Sequence, residues 1–194
     1  MIRIAIIGDI GSGKSHVAKQ FGYPVFNADT EVAKLYKKNR KFYGKLKKKL
    51  PAYITSFPVQ KSKVSEAIID NKNNLNKIIK IVHPTIRIKM RSFIKKHRNK
   101  KFVILDIPLL IENKINKKND IVIFVEAKKD EIRKRLKKRS KINPEIINKF
   151  KKIQLSIELK KRKSNYIIKN NFKNNSIKKS VKKLLKEITL KCSK

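Results

Sequence analysis

Gly8-Asp9-Ile10-Gly11-Ser12-Gly13-Lys14-Ser15 is the stretch that decides the fold, because it fits the pattern G-x-x-x-x-G-K-S/T and has the flanks that pattern requires. Upstream, Ile2-Arg3-Ile4-Ala5-Ile6-Ile7 is a short apolar run of the kind buried in a parallel sheet, and downstream His16-Val17-Ala18-Lys19-Gln20-Phe21 opens a helix. Glycines let the backbone turn tightly enough for its N–H groups to face phosphate oxygens, and the helix N-terminus adds partial positive charge. The pattern sends Lys14 to the β- and γ-phosphates and offers the Ser15 hydroxyl to Mg²⁺. The alternative is a glycine-rich turn that holds no ligand; the lysine, the serine and both flanks weigh against it. The stretch therefore marks a nucleotide-handling protein and leaves the phosphoryl acceptor open.

The 194 residues, 40% of them apolar, suffice for one α/β folding unit with its own core. A single cysteine, Cys192, excludes a disulfide framework and suits a reducing cytoplasm. No apolar run approaches the roughly 18 residues of a membrane helix. The first strand leads into the phosphate loop and not to a signal-peptide cleavage site. A cytoplasmic protein with no membrane partner is expected, as a monomer or weak homo-oligomer. The 53 Lys and Arg against 14 Asp and Glu give a net charge of +39, which taken alone suggests nucleic acid or an anionic surface. The lysines are nevertheless dispersed among Asn and Ile, as in Lys72-Asn73-Asn74 and Lys173-Asn174-Asn175. That is the bias an A+T-rich genome produces on solvated faces. Dispersed charge attracts anions without forming a reading surface, so no specific nucleic-acid partner is expected, while an anionic substrate gains from the field.

Beyond the loop, Pro24-Val25-Phe26-Asn27 reads as a second strand, and Ala28-Asp29 begins a helical stretch towards Leu50-Pro51. Asp29 thus sits at a strand-to-helix junction. From about Pro51 to Lys100 the apolar spacing is helical, with Leu75, Ile78, Ile79 and Val82 before His83-Pro84 and Ile86, Ile88, Met90 and Phe93-Ile94 after it. Phe102 to Asp106, Ile121 to Val125 and Tyr166 to Ile168 read as three further strands. Strands alternating with helices predict an α/β, three-layer phosphate-loop NTPase fold with a five-stranded parallel sheet, in a single domain over residues 1–194. Asp130 to Arg139 reads as a charged helix, Asn143-Pro144-Glu145 starts another, and Ser176 to Leu190 is a terminal amphipathic helix. Arg135 and Arg139 share a helix face and can converge on a triphosphate; equally, they can be two solvated arginines in a lysine-rich helix.

These pieces together resemble the dephospho-CoA kinase family over nearly the whole chain. The family's G-x-I-G-S-G-K-S is matched by Gly8 to Ser15, its D-A-D by Asn27-Ala28-Asp29, and its H-P by His83-Pro84. Its P-L-L-x-E is matched by Pro108-Leu109-Leu110-Ile111-Glu112, its R-x-x-x-R by Arg135 and Arg139, and its Q-(x5)-K by Gln154 and Lys160. Ser164 to Asn170 match its A-D-x-V-I-x-N. The phosphate loop is common to many kinases, whereas P-L-L-x-E with H-P at this spacing is far more specific. The chain departs from the pattern in several places. Asn27 and Asn165 stand for aspartates, Asp9 for a glycine and His16 for a threonine, and the arginine ahead of the substrate-domain helix is matched only by Lys61 or Lys63.

The resemblance implies transfer of the ATP γ-phosphoryl group to the ribose 3′-hydroxyl of dephospho-CoA, with Mg²⁺, giving CoA and ADP. Residues 30–100 become the helical substrate-binding region and residues 133–162 a helical lid. It assigns the nucleotide to Gly8, Gly11, Ser12, Gly13, Lys14, Ser15, His16, Arg135 and Arg139, with Lys14 and Arg139 taking part in catalysis. Asp29 becomes the group that accepts or orients the hydroxyl proton; its alternative role is helix capping. Asp29, His83, Pro108, Leu109 and Glu112 shape the acceptor site, although His83 also reads as a plain helix-end histidine before Pro84. Asp106 joins Ser15 as a metal or metal-water ligand, an acid the family does not always carry. Two other classes stay open. Another small-molecule or nucleoside monophosphate kinase shares the loop and the arginine lid, but lacks P-L-L-x-E and H-P. A basic nucleic-acid-binding NTPase needs extra recognition elements, for which this chain has no spare length.

Overall fold

The structure, a computed structural model, describes residues 1–138 and 143–192. Five strands, β1 (Ile2–Gly8), β2 (Val25–Asn27), β3 (Phe102–Asp106), β4 (Ile121–Glu126) and β5 (Tyr166–Lys169), form one parallel sheet in the order β2-β3-β1-β4-β5. The described helices are α1 (Lys14–Gln20), α2 (Ala28–Lys38), α3 (Arg40–Lys49), α4 (Lys61–Asp70), α5 (Lys72–Lys96), α6 (Lys129–Lys138), α7 (Pro144–Lys152), α8 (Ile157–Arg162) and α9 (Asn174–Cys192). The α/β fold with its five-stranded parallel sheet is as the sequence predicts.

Two compact units divide the chain: residues 1–27, 97–142 and 153–194 form the first, and residues 28–96 and 143–152 the second. The first unit holds the whole sheet. β1, β3 and β4 are nearly continuous runs of buried aliphatic residues, because a parallel sheet is covered on both faces and every side chain must find an apolar neighbour. On one face, Ile4, Ile6, Ile104 and Ile123 pack with Val17 of α1, with Phe21 at its C-terminal cap, and with Ile177, Val181 and Ile188 of α9. Each such side chain contributes roughly 1.5–3 kcal/mol on burial. β1 lies between β3 and β4, so the chain leaves it towards one side for β2 and later crosses to the other for β4. In parallel sheets ligands bind beyond the carboxyl ends of strands at such a reversal. Register places Asn27 opposite Asp106, Ile6 opposite Asp106 and Gly8 opposite Val125, so those carboxyl ends share one edge.

The second unit is helical. Leu35, Phe42, Leu46, Ile68, Leu75 and Ile78 are buried in it. The stretch from Ala28 towards Leu50, expected as one run, is two helices. Asn39 breaks it by turning to extended backbone and accepting a 2.8 Å hydrogen bond from the Phe42 N–H, the behaviour of an asparagine N-cap. His83-Pro84 lies inside α5 and not at a helix end. Pro84 removes one intrahelical hydrogen bond, yet burial of Leu75, Ile78, Ile86 and Met90 along the same helix holds it continuous. Lys149 of α7 donates to the carbonyls of Ile68 (2.8 Å) and Ile69 (2.5 Å), which end α4 without helical partners. Glu31 of α2 receives Lys34 at 2.6 Å and Lys89 of α5 at 3.1 Å. Burial opposes ionisation of Glu31, but those two lysines hold its carboxyl below the usual carboxylate range.

Candidate active site

The phosphate loop follows β1 directly. A Cβ on Gly8 would sit 2.6 Å from the Val125 carbonyl oxygen and 2.8 Å from Ser12 Oγ, so only glycine lets the loop leave the sheet this close to β4. At Gly13 the backbone is left-handed (φ 86°) and a Cβ would meet Asn170 Nδ2 at 2.3 Å. The loop then closes on itself. Ser12 N donates to the Asp9 carbonyl at 3.1 Å, Lys14 Nζ to the same carbonyl at 2.7 Å, and Ile10 N to Asp9 Oδ1 at 2.7 Å. Asp9, the acid on the loop, thus uses its side chain on a neighbouring loop amide. His16 N and Val17 N both donate to the Gly13 carbonyl at 3.0 Å, which starts α1 immediately behind the loop. Ser12 Oγ and His16 Nε2 are buried without a hydrogen-bond partner among the described residues.

Asn170, just past β5, holds the loop from the far side of the sheet. Its Nδ2 donates to the Ser12 carbonyl at 2.8 Å, its Oδ1 accepts from Phe172 N at 2.8 Å, and its own N–H donates to Glu126 at 2.7 Å. Phe172 adopts φ 61°, and the Arg135 guanidinium lies 4.3 Å above its ring. Arg135 is therefore fixed beside the loop, with Nε buried and unpartnered among the described residues. Arg139 falls outside the described residues.

At the carboxyl edge of β2 and β3, Asn27 Nδ2 donates to Asp106 Oδ2 at 2.5 Å and to Ser15 Oγ at 3.4 Å. Asp106 is 2% exposed, whereas Ser15 is open to solvent. The two residues expected to ligate metal therefore stand together with an asparagine between them. The donors on offer are a hydroxyl and a carboxylate, hard oxygens that suit Mg²⁺ carrying waters and phosphate oxygens as its other ligands. Among the described residues there is no group of three or more His, Cys, Asp or Glu placed to hold an ion by themselves.

Pro108 and Leu109 form the turn after β3, half-buried, and Glu112 continues it. Glu112 Oε1 accepts from Lys160 Nζ at 3.2 Å and from Leu155 N at 3.1 Å, and Lys160 also donates to Gln154 Oε1 at 2.7 Å. Both charged side chains are nearly buried, 9% exposed for Glu112 and 3% for Lys160. The structure thus gathers two distant motifs, Pro108 to Glu112 and Gln154 with Lys160, into one ion-paired cluster. In the second unit, Asp29 is exposed in the first turn of α2, where the helix dipole favours a negative charge. His83 is half-buried in α5; burial and the nearby Arg87 charge lower its pKa, which keeps the ring neutral at pH 7. Sequence reasoning gave no role to Asn170, Phe172, Gln154 or Lys160. The signal was present for Asn170 and Lys160 in their motif positions, and absent for Phe172.

A family model described as dephospho-CoA kinase matches residues 2–176. A dephospho-CoA kinase of Wolbachia pipientis is 32% identical over 170 residues, covering 85% of this chain and 87% of that one. A solved Thermus thermophilus protein superposes with a TM-score of 0.74 at 25% identity, covering 96% of this chain and 97% of that one. The dephospho-CoA kinase of Campylobacter jejuni shares the fold with a TM-score of 0.63 at 24% identity, covering 96% of each chain.

Proposed function

Because the chain belongs to the dephospho-CoA kinase family, we propose that it transfers the γ-phosphoryl group of ATP to the ribose 3′-hydroxyl of dephospho-CoA, giving CoA and ADP. The observation that carries this reading is the family match across residues 2–176. The phosphate-loop geometry supports the nucleotide half of it. Such a transfer has little covalent chemistry for the protein to perform, so its residues act by positioning and by placing charge.

The amides of the loop from Gly11 to His16, with Lys14, bind the nucleotide phosphates. Lys14 Nζ spans the loop to the Asp9 carbonyl, an acceptor it exchanges for a phosphate oxygen. Ser15 and Asp106 are the residues that would hold Mg²⁺, which when bound neutralises phosphate charge. Asn170 and Phe172 keep the loop and Arg135 in place; Arg139 neutralises charge developing on the transferred group as residues 133–162 close as a lid. Asp29 accepts or orients the hydroxyl proton. His83, Pro108 and Leu109 shape the acceptor site in the region of residues 30–100 and the turn after β3, and Glu112 braces that turn through Lys160. The protein works in the cytoplasm as a monomer or weak homo-oligomer, without a specific nucleic-acid partner. No helix among the described residues is long and apolar enough to cross a membrane.

The test is ADP release with ATP and Mg²⁺ against a panel of acceptors. Dephospho-CoA is expected to drive it, and adenosine, AMP and thymidylate to fail; equal turnover of a nucleoside monophosphate sinks the reading. Asp29→Asn is expected to lower turnover by roughly 10² while ATP affinity holds, since a positioned base acts on the acceptor.

A further inference from the structure

Asp106 is a buried acid whose visible partner is an amide. β2 and β3 run in parallel register with Asn27 opposite Asp106, so both side chains leave the sheet on the same side. Asn27 Nδ2 lies 2.5 Å from Asp106 Oδ2 and 3.4 Å from Ser15 Oγ. A carboxylate only accepts hydrogen bonds, so the amide must turn its NH₂ end towards Asp106. One amide group therefore reaches both oxygen donors proposed for the metal, and brings no charge of its own.

That neutrality has a physical consequence. A second carboxylate in this place would set two anions within contact distance at a buried edge, and such a pair is stable only when it shares a proton or a cation. With asparagine there, the edge is satisfied before any ion arrives. A single carboxylate and a hydroxyl form a weak site alone, and affinity for hard divalent cations grows with the number of charged ligands.

We propose that Asn27 is a positioning residue that holds Asp106 and Ser15 in place without a cation, so that this edge takes a divalent ion only together with the nucleotide phosphates. The proposal rests on Mg²⁺–ATP being the phosphoryl donor. The order of loading follows from it: the free protein leaves divalent ions in solution, and the nucleotide brings the missing negative ligands.

The experiment is titration of the full chain with Mn²⁺ in the absence of nucleotide, read by the electron paramagnetic resonance signal of free Mn²⁺ and by melting temperature. Wild type is expected to bind negligibly at sub-millimolar Mn²⁺. Asn27→Asp is expected to bind at least roughly tenfold more tightly and to melt higher with Mn²⁺ alone. Adding Asp106→Asn to that variant should abolish both gains. Tight Mn²⁺ binding by wild type, or identical titrations for wild type and Asn27→Asp, overturns the proposal. Should Asn27→Asp not fold, Asn27→Ala decides. With the amide gone, the Mg²⁺ concentration for half-maximal turnover should rise roughly tenfold per folded molecule, as expected when ligands lose their orientation. An unchanged Mg²⁺ requirement overturns the proposal. The nucleotide-free titration is read whether or not dephospho-CoA is phosphorylated, so failure of the kinase assay strikes the functional reading and leaves this result to be judged separately.

Discussion

The two ends of the same parallel sheet each bury an acid, and they treat it in opposite ways. Before β4, Asp120 is 7% exposed and accepts from Arg3 of β1 at 2.7 Å and from Lys117 N at 2.8 Å. At the carboxyl end, Asp106 is 2% exposed and meets the neutral amide of Asn27. The Arg3 guanidinium sets an opposite charge directly against the first acid. The amide donates a hydrogen bond to the second and brings no opposite charge, beside the phosphate loop. One end is thus a staple and the other, as proposed, a site, although both carry buried carboxylates, one at the end of β3 and one just before β4.

Substitutions at the two ends should separate turnover from stability. The largest effect is expected at the loop: Lys14→Ala should lower kcat/KM by roughly 10³ or more, with weakened ATP binding and little change in melting. Next, Asp120→Ala should cost about 3 kcal/mol in urea unfolding, because it strands Arg3 with a mostly buried charge, while turnover per folded molecule holds. Asp106→Asn should do the reverse, with turnover down by roughly 10–10² and unfolding nearly unchanged. If Asp106→Asn unfolds the protein while Asp120→Ala does not, the division between staple and site is wrong.

The smallest effect is a pH slope. Burial raises the Asp120 carboxyl above its ordinary 3.8, against the opposing pull of Lys117 and Arg3. The folded state then binds the proton more readily than the unfolded one, so this group's contribution is fully present below 3.8 and is lost as pH rises through its folded value. Asp120→Asn should remove that slope, seen as a flatter dependence of unfolding free energy on pH across the acid range than in wild type. His83, whose pKa is lowered by burial and by Arg87, should act with the opposite sign, losing stability as pH falls below 6.5.

Much of the fold was readable because its signals are local. Phe102 to Leu105 is an apolar run between Lys101 and Asp106, and the strand, Phe102–Asp106, follows it. The loop pattern carries its own strand and helix. The cap at Asn39 was equally local, yet one continuous helix was read there, because lysine-rich flanks on both sides keep helical composition across the break. The continuity of α5 through Pro84 was hidden for a different reason: local propensity opposes it, and the buried apolar positions on either side override that.

The sequence by itself determined which elements form, that a phosphate loop joins the first strand to the first helix, and which family the chain resembles, since each rests on spacing within a short window. Only the tertiary structure decided which of the distant polar residues meet. Asn27 and Asp106 are 79 positions apart, and Asn170 and Ser12 are 158 apart. Glu112 could be joined to Lys160, and Arg3 to Asp120, only once strand order and register were set. A hydrogen bond needs its atoms within about 3 Å. Periodicity along the chain predicts which face a residue occupies, but not what a neighbouring strand brings to that face.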